Sequence, residues 1–432
     1  MRKYAIDLSP LKKYPDFRRL WLSGFISFFG SMITMVALPF QIKELTNSYL
    51  AVGAIGAAEL IPLILFGLYG GVLADRYDRK KLILFSELAA LFIVLALFLN
   101  SLAPTPSVLA IFIMAALFSA VDGIQRPSAN AILPRLVSHD DLPAANALMS
   151  LRWQLGVILG PTIGGLLLAS NPIALSYLID GATYLISLIF LLRVRNMPPI
   201  EIDESLQKPA ISALFEGLRY ALSRKDLLGT YLIDLAAMFF AMPNALFPFW
   251  ADQLGAPWAL GLFYAAGTVG AVAITLTSKW TTTYRFHGRA VIWGAIGWGL
   301  AIALAGISNS LILVLIFLAA AGAADMFSAL FRGNIWNQTI PDEYRGRLAG
   351  IELLSYSVGP LAGQMRAAGM ASATSLTFSV TSGGLICVAI VGILGIFMVK
   401  FRKYDVQTNE FAVLERQKRE KAQNEGEKST EI

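Results

Sequence analysis

Cysteine and histidine are nearly missing from this chain: 432 residues hold one cysteine, Cys387, and two histidines, His139 and His287. A lone cysteine cannot close an intrachain disulfide and reads as a packed thiol. Two distant histidines, with no H-E-x-x-H and no C-x-x-C, leave no set of metal ligands, so neither metalloenzyme chemistry nor a cofactor is expected. No G-x-x-x-x-G-K-[ST] loop occurs, which excludes ATP as the energy source. Charge is scarce as well, at 15% of residues. The net charge of +6 is dispersed through loops and not massed with aromatics, so it points to contact with anionic lipid and not to nucleic acid. The basic N-terminus runs into an apolar stretch without a small-residue cleavage site, so no removable signal peptide is expected.

What is abundant is apolar sequence. Hydrophobic residues make up 56% of the chain and mean hydropathy is +0.62, more than a soluble core requires. The apolar runs predict an all-α membrane protein with spans near 20–42, 51–73, 82–103, 107–132, 146–169, 173–193, 227–250, 258–278, 290–307, 310–337, 348–371 and 376–399. On that map Arg18, Arg76, Arg79, Lys80, Arg135, Arg193, Arg224, Arg285, Arg289, Lys400 and Arg402 fall on one side, and the other side has little beyond Lys43. The positive-inside rule then puts both termini and the central linker in the cytoplasm.

The chain also repeats itself. Gly160-Pro161-Thr162-Ile163-Gly164 returns 199 positions later as Gly359-Pro360-Leu361-Ala362-Gly363, and the lone carboxylate Asp122 returns as Asp325. Two similar membrane halves, pseudo-symmetric six-helix bundles, enclose one binding site between them in many transporters. The expected organisation is an N-terminal bundle over 1–193, a linker over 194–226, a C-terminal bundle over 227–399 and a charged tail over 400–432. In the linker, Ile211, Leu214, Phe215, Leu218 and Leu222 form one helical stripe suited to lie flat on the inner leaflet. The tail, including Leu414 to Lys428, reads as a solvated helix or disordered segment without a partner.

Two motifs stand out. Between the second and third spans, Gly71, Asp75, Arg76, Arg79 and Lys80 combine a residue that permits close helix approach with an aspartate and cations able to latch neighbouring helices. In the fifth span, Gly156, Gly160, Pro161, Gly164 and Gly165 make a flat face interrupted by a helix-bending proline. With these residues the sequence resembles the major facilitator superfamily, whose loop signature is G-x-L-x-D-R-x-G-R; Asp78 replaces its second glycine, as in the drug and siderophore exporter branch. The resemblance covers about Pro10 to Tyr404, and the fifth-span decamer resembles the antiporter motif of superfamily exporters. It implies that Asp75 contacts the eleventh span near Gly350 and that Arg79 pairs with Asp140 or Asp141. The second-half copy of the loop motif is eroded, because Thr281 to Tyr284 hold no aspartate.

Carboxylates inside hydrocarbon are costly and each is a functional candidate. Glu59, Asp122, Asp180, Asp234, Asp325 and Glu352 are such acids, and the resemblance, by which spans one, four, seven and ten line the cavity, selects Asp122, Asp234 and Asp325. Arg126 lies one turn beyond Asp122 on the same helical face, so the two can pair, either as a static ion pair or as a proton carrier with its base. Asp122 and Asp325 lead the candidates for proton coupling, followed by Glu59 and Asp234 with Arg126. Phe25, Phe28, Ser31, Asp234, Phe239 and Asp325 are the candidates for the substrate cavity, aromatic rings suiting a large amphipathic molecule. Arg152 and Glu352, at similar depth, read as structural counter-ions, with contact to an anionic substrate as the alternative.

The expected function is not enzymatic. The resemblance implies a monomeric, proton-coupled exporter in the bacterial inner membrane, expelling a small amphipathic substrate such as a siderophore or macrolide-like drug by alternating access. Its partners are that substrate, protons and the lipid bilayer. Import of a siderophore, or a non-transporting sensor or lipid-handling protein of the same fold, are the alternatives.

Overall fold

The computed structural model describes residues 7–170, 172–198, 210–278, 281 and 283–418, without the side chains of 68, 72, 75, 130–131, 210–215, 217, 342–347 and 349–356. The chain folds into twelve long helices with no strand among the described residues. In the first half they are α1 (Pro15–Thr46), α2 (Tyr49–Arg76), α3 (Arg79–Leu102), α4 (Val108–Ile132), α5 (Leu142–Ser170) and α6 (Ile173–Leu192). In the second they are α7 (Lys225–Ala241), α8 (Leu260–Leu276), α9 (His287–Ile307), α10 (Leu311–Thr339), α11 (Asp342–Ala373) and α12 (Leu376–Phe397). Eleven of them, α7 with its continuation to Gln253, are long and apolar enough to cross a bilayer over the described residues. The twelfth is α11.

Short polar residues set where these helices begin. Ser48, Asp78, Ser107 and Ser375 each accept a hydrogen bond from a backbone N–H of the first turn of α2, α3, α4 and α12, replacing water that a bilayer cannot supply. Large apolar side chains point outward, among them Leu185, Ile189 and Leu192 on α6 and Ile312 and Ile316 on α10. An exposed apolar surface of this kind is stable only against lipid tails. Lipid gives helices no hydrophobic reason to associate, so close packing and hydrogen bonds hold the bundle.

The duplication is visible in which helices touch. In the first half α1 packs on α5 and α6, α2 on α4, and α3 on α4 and α6; in the second α7 packs on α11 and α12, α8 on α10, and α9 on α10 and α12. The halves meet where α2 packs on α11 and α5 on α8, pairs that exchange under the same pseudo-twofold relation. The tightest of these approaches is glycine to glycine: a Cβ on Gly165 would collide with the backbone of Gly261, and one on Gly261 with that of Pro161. No other residue lets α5 and α8 run that close.

The loops joining α2 to α3, α4 to α5, α6 to α7, α8 to α9 and α10 to α11 share one basic face with the described segments before Pro15 and after Phe397. On the opposite face, the tip of α1 reaches the other half through an ion pair from Lys43 to Asp252, and Tyr49 lies against Phe249 with ring centroids 4.3 Å apart.

Two parts of the chain depart from expectation. The linker helix Ala210–Ser223 packs against α11 and α2 instead of resting on lipid alone; Leu218 and Leu222 of its stripe are exposed, and Ile211, Leu214 and Phe215 lie outside the described side chains, as do Glu201, Asp203 and Glu204. The tail is docked up to residue 418 and not solvated throughout. Asn409 caps a short helix from residue 410, Ala412 and Glu415 are buried, and Phe411 lies over the Arg224 guanidinium at 3.3 Å. Arg224 is itself held by Asp226 at 2.6 Å and donates to the Tyr220 hydroxyl at 2.7 Å. The partner that orders the tail sits near the head of α7, far away in sequence, so local charge pattern gives no sign of it.

Candidate functional site

Two groups of charged side chains stand inside the bundles, one in each half. In the first, Asp122 and Arg126 face the same way on α4 because four residues make one helical turn, and their side chains pair at 2.6 Å. Both remain partly exposed, at 35% and 43%. Glu59 on α2 is near enough to act electrostatically on Asp122 and on Tyr264 of α8, so it lies where the halves adjoin. Ser119, one turn before Asp122, donates to the Glu59 carbonyl at 2.8 Å and fixes α2 against α4 at this level.

In the second half, the guanidinium of Arg332 on α10 forms a close ion pair with Asp234 of α7 and approaches Asp325 of its own helix at 3.6 Å. Asp325 and Arg332 are two turns apart and share a face. Arg332 and Asp234 are buried, at 10% and 7%, whereas Asp325 keeps 37% exposure. Asp122 and Asp325, matched in the repeat, are thus matched in accessibility as well. Arg332 was not among the residues singled out from the sequence; its position seven residues after Asp325 was the available signal.

One buried acid also escaped the sequence reading. Glu87 of α3 is 2% exposed and accepts hydrogen bonds from Ser27 of α1 at 3.0 Å, Gln125 of α4 at 2.8 Å and Ser187 of α6 at 2.7 Å. Its proximity to the basic face hid it among loop charges. Arg152 of α5 faces Glu87 electrostatically, and its Nε finds no hydrogen-bond partner. The side chain of Glu352, its expected counterpart, lies outside the described residues. Asp180 is fully buried between Thr34 and Thr183.

The aromatic candidates divide. Phe25 stacks on Trp21 of its own helix with centroids 5.5 Å apart, and Phe28 packs on the face that Gly156 leaves open, so Phe28 holds α1 against α5. Phe239 meets Phe240 edge to face at 4.9 Å, and Ser31 bonds the Tyr184 hydroxyl at 2.7 Å. The fifth-span motif packs as a face against α1: Cβ atoms on Gly156, Gly160 and Gly164 would meet Phe28, Met32 and Ile33. Gly359 and Gly363 repeat this against Met238 of α7, which accounts for the duplicated sequence.

The described part of the loop motif is anchored by contacts within the first half. Asp141 is taken by Lys13 at 2.7 Å and Tyr14 at 2.7 Å, and Arg79 Nε donates to the Ala74 carbonyl at 3.3 Å. Asp78, standing where the signature has glycine, caps α3 and accepts the Met197 N–H at 3.0 Å, while Lys80 reaches the Leu192 carbonyl at 3.2 Å. The loop is therefore tied to the end of α6. Gly71 has open space around it, Arg76 is exposed, and the Asp75 side chain and its expected contact near Gly350 lie outside the described residues.

Comparison with known proteins agrees with this architecture. Residues 5–424 match the family described as transmembrane secretion effector, of the major facilitator superfamily. The enterobactin exporters EntS of Shigella boydii serotype 18 and Escherichia coli O81 are 30% identical over 409 residues, covering 93% of this chain and 96% of theirs. Among solved structures, a POT family transporter in complex with a thioalcohol-conjugated peptide superposes with a TM-score of 0.72 at 13% identity, over 89% of this chain and 96% of its own. The nucleoside transporter NupG does so with a TM-score of 0.68 at 15% identity, over 90% and 100%. At such identities these two establish the fold alone. The chain belongs to the major facilitator superfamily, within its transmembrane secretion effector family, and is a multi-pass membrane transporter and not an enzyme.

Proposed function

We propose that this protein is a proton-driven exporter of a siderophore, working as a monomer in the bacterial inner membrane with both chain ends in the cytoplasm. The observation that carries the reading is the pair of acid–arginine groups in the two halves, Asp122 with Arg126 and Asp325 with Arg332 and Asp234, each with one partly exposed carboxylate. Export and the siderophore class rest on kinship with the enterobactin exporters across nearly the whole length of both chains. The sidedness rests on the basic residues of the face that carries the ends.

The chemistry follows from the ion pairs. While Asp122 is ionised it holds Arg126, and protonation removes the anion that holds it. The guanidinium is then held less strongly at Asp122, so a proton on that acid and an anionic or polar group of the substrate compete for one arrangement. That competition is what exchange of one for the other requires. Asp325 plays the matching part in the second half, with Glu59 and Asp234 modulating the two sites. The bundles then rock about the α2–α11 and α5–α8 contacts, with the Gly71–Lys80 loop as a latch on the basic face.

The test uses purified protein in vesicles with enterobactin as the probe and a macrolide as the competing one. An imposed pH gradient should drive enterobactin toward the acidic compartment. Equal movement with and without the gradient would contradict the proposal.

A further inference from the structure

A line of polar side chains runs along the seam between α1 and α6, through the thickness of the first bundle. Ser23, Ser27, Ser31, Thr34 and Gln41 recur at three-, four- and seven-residue steps on one face of α1, and they meet Ser187, Tyr184, Asp180 and Tyr177 of the antiparallel α6. Ser23 and Ser187 lie 2.7 Å apart, Ser187 donates to Glu87 at 2.7 Å, and Ser27 donates to Glu87 at 3.0 Å. Further along, Ser31 meets the Tyr184 hydroxyl at 2.7 Å, Thr34 donates to Asp180, and Tyr177 donates to Gln41 at 2.6 Å. Gly30 makes the seam this narrow, since a Cβ there would press on Thr183 and Asp180. In the second half no described side chains form such a line between α7 and α12.

Two buried carboxylates along one polar seam, each in its own cluster of hydroxyl hydrogen bonds, are more than packing requires. We propose that this seam is a proton pathway in which Glu87 and Asp180 are proton-binding sites, distinct from the partly exposed Asp122–Arg126 pair. The proposal deepens the exporter reading above and rests on it.

The geometry around Glu87 suits a group that gains and loses a proton. Ionised, its Oε2 accepts from the Ser187 hydroxyl. Protonated at Oε2, it donates to Ser187 Oγ, and the Ser187 hydroxyl turns to Ser23 Oγ, a contact in which either oxygen can be the donor. The hydrogen bond between Glu87 and Ser187 survives in both states, so neither leaves a buried polar atom unpaired. Asp234, clamped by a guanidinium, has no such freedom. The groups facing the two acids are known from every neighbouring helix. Arg152 of α5 faces Glu87 electrostatically, Gln125 of α4 bonds it, Tyr184 and Tyr177 of α6 flank Asp180, and the two acids sense each other. Gln125 precedes Arg126 on α4, so a hydrogen-bond partner of Glu87 and the Asp122–Arg126 pair stand on one helix.

The test is infrared difference spectroscopy of the full chain in lipid nanodiscs as pH is stepped between about 5 and about 9, a range in which ordinary carboxylates stay ionised. The wild-type protein should show carboxylic-acid carbonyl bands that appear at the acid end. Glu87→Gln should delete one component and Asp180→Asn another. Ser187→Ala keeps both acids but removes a hydrogen-bond partner, so it should shift the Glu87 band and slow proton entry into vesicles. Spectra of all three variants that superpose on wild type would overturn the pathway. If gradient-driven enterobactin movement is intact in wild type while these bands are silent, the seam fails and the exporter reading stands; if that movement is missing in wild type, the exporter reading fails on its own.

Discussion

The two halves carry the same residue types at matching depths, yet they arrange them in opposite ways. In the first half the cation belongs to the same helix as its acid, one turn away, and the pair is open to its surroundings. In the second the cation crosses from α10 to α7 and is buried, leaving only Asp325 accessible. An exposed pair within one helix contributes little to stability and is easily exchanged for another partner. A buried pair between helices fixes their spacing, and removing one member leaves a charge without compensation. On the proposed reading, the first half offers an ion pair that can change its charge state, and the second holds its shape around one accessible acid, Asp325.

The sharpest way to break this comparison is to remove the two arginines separately. Arg332→Met should lower stability by about 3–5 kcal/mol, because the buried ion pair between α10 and α7 loses its cation. Arg126→Met should change it by less than about 1 kcal/mol. Thermal unfolding in one detergent measures both, and equal losses would erase the proposed distinction between the halves. A smaller effect is expected where the halves touch. Gly165→Val forces a side chain into the backbone of Gly261, at a cost of about 1–3 kcal/mol in packing strain. Disulfide trapping between engineered cysteines on α5 and α8 should then become inefficient, and unchanged trapping would show that this contact does not set the approach of the bundles.

The docked tail is another asymmetry, since its described residues hold to the head of α7 and the loop before α9 in the second half. Phe411→Ala should cost about 1–2 kcal/mol of tail docking, the value of a partly desolvated cation–π contact, and should expose the tail to protease. Docking also has a pH signature. Hydrogen bonds from Arg285 hold the Asp405 carboxyl below its ordinary range, so its contribution is fully present above about pH 4 and is lost as pH falls through the lower, folded-state value. Proteolysis of the tail should accordingly be slow at neutral pH and rapid in strong acid, and Asp405→Asn should remove that dependence. The weakest effect is reserved for Lys43→Ala on the opposite face. A pair with a half-exposed partner is worth about 0.2–1 kcal/mol, so a larger loss of stability there would assign that face a greater share in closure.

The fold was legible because it is written in quantities that do not depend on distant partners. Twelve apolar runs, the basic loops and the repeated Gly-Pro-x-x-Gly segments fix spans, faces and symmetry. Asp122 and Arg126 were legible together for the same reason, as helical periodicity alone puts them side by side. Arg332 could be placed on the face of Asp325, but its pairing with Asp234 depends on how α7 crosses α10. Glu87 becomes conspicuous only when serines from two other helices converge on it. The loop motif shows a second limit: Asp78, Lys80 and Asp141 kept the chemistry of a latch but found nearer partners in Met197, Leu192 and Lys13. The docked tail lay beyond reach because its holding residue, Arg224, is nearly two hundred positions upstream.

The most direct test of the account follows protons and substrate together in vesicles that contain the purified protein. Wild-type protein should move protons and enterobactin in opposite directions at a fixed ratio. With Asp122→Asn and Asp325→Asn combined, exchange of labelled for unlabelled enterobactin should persist while movement against a gradient is lost. Proton movement at the wild-type ratio in that double variant would contradict the account at its centre.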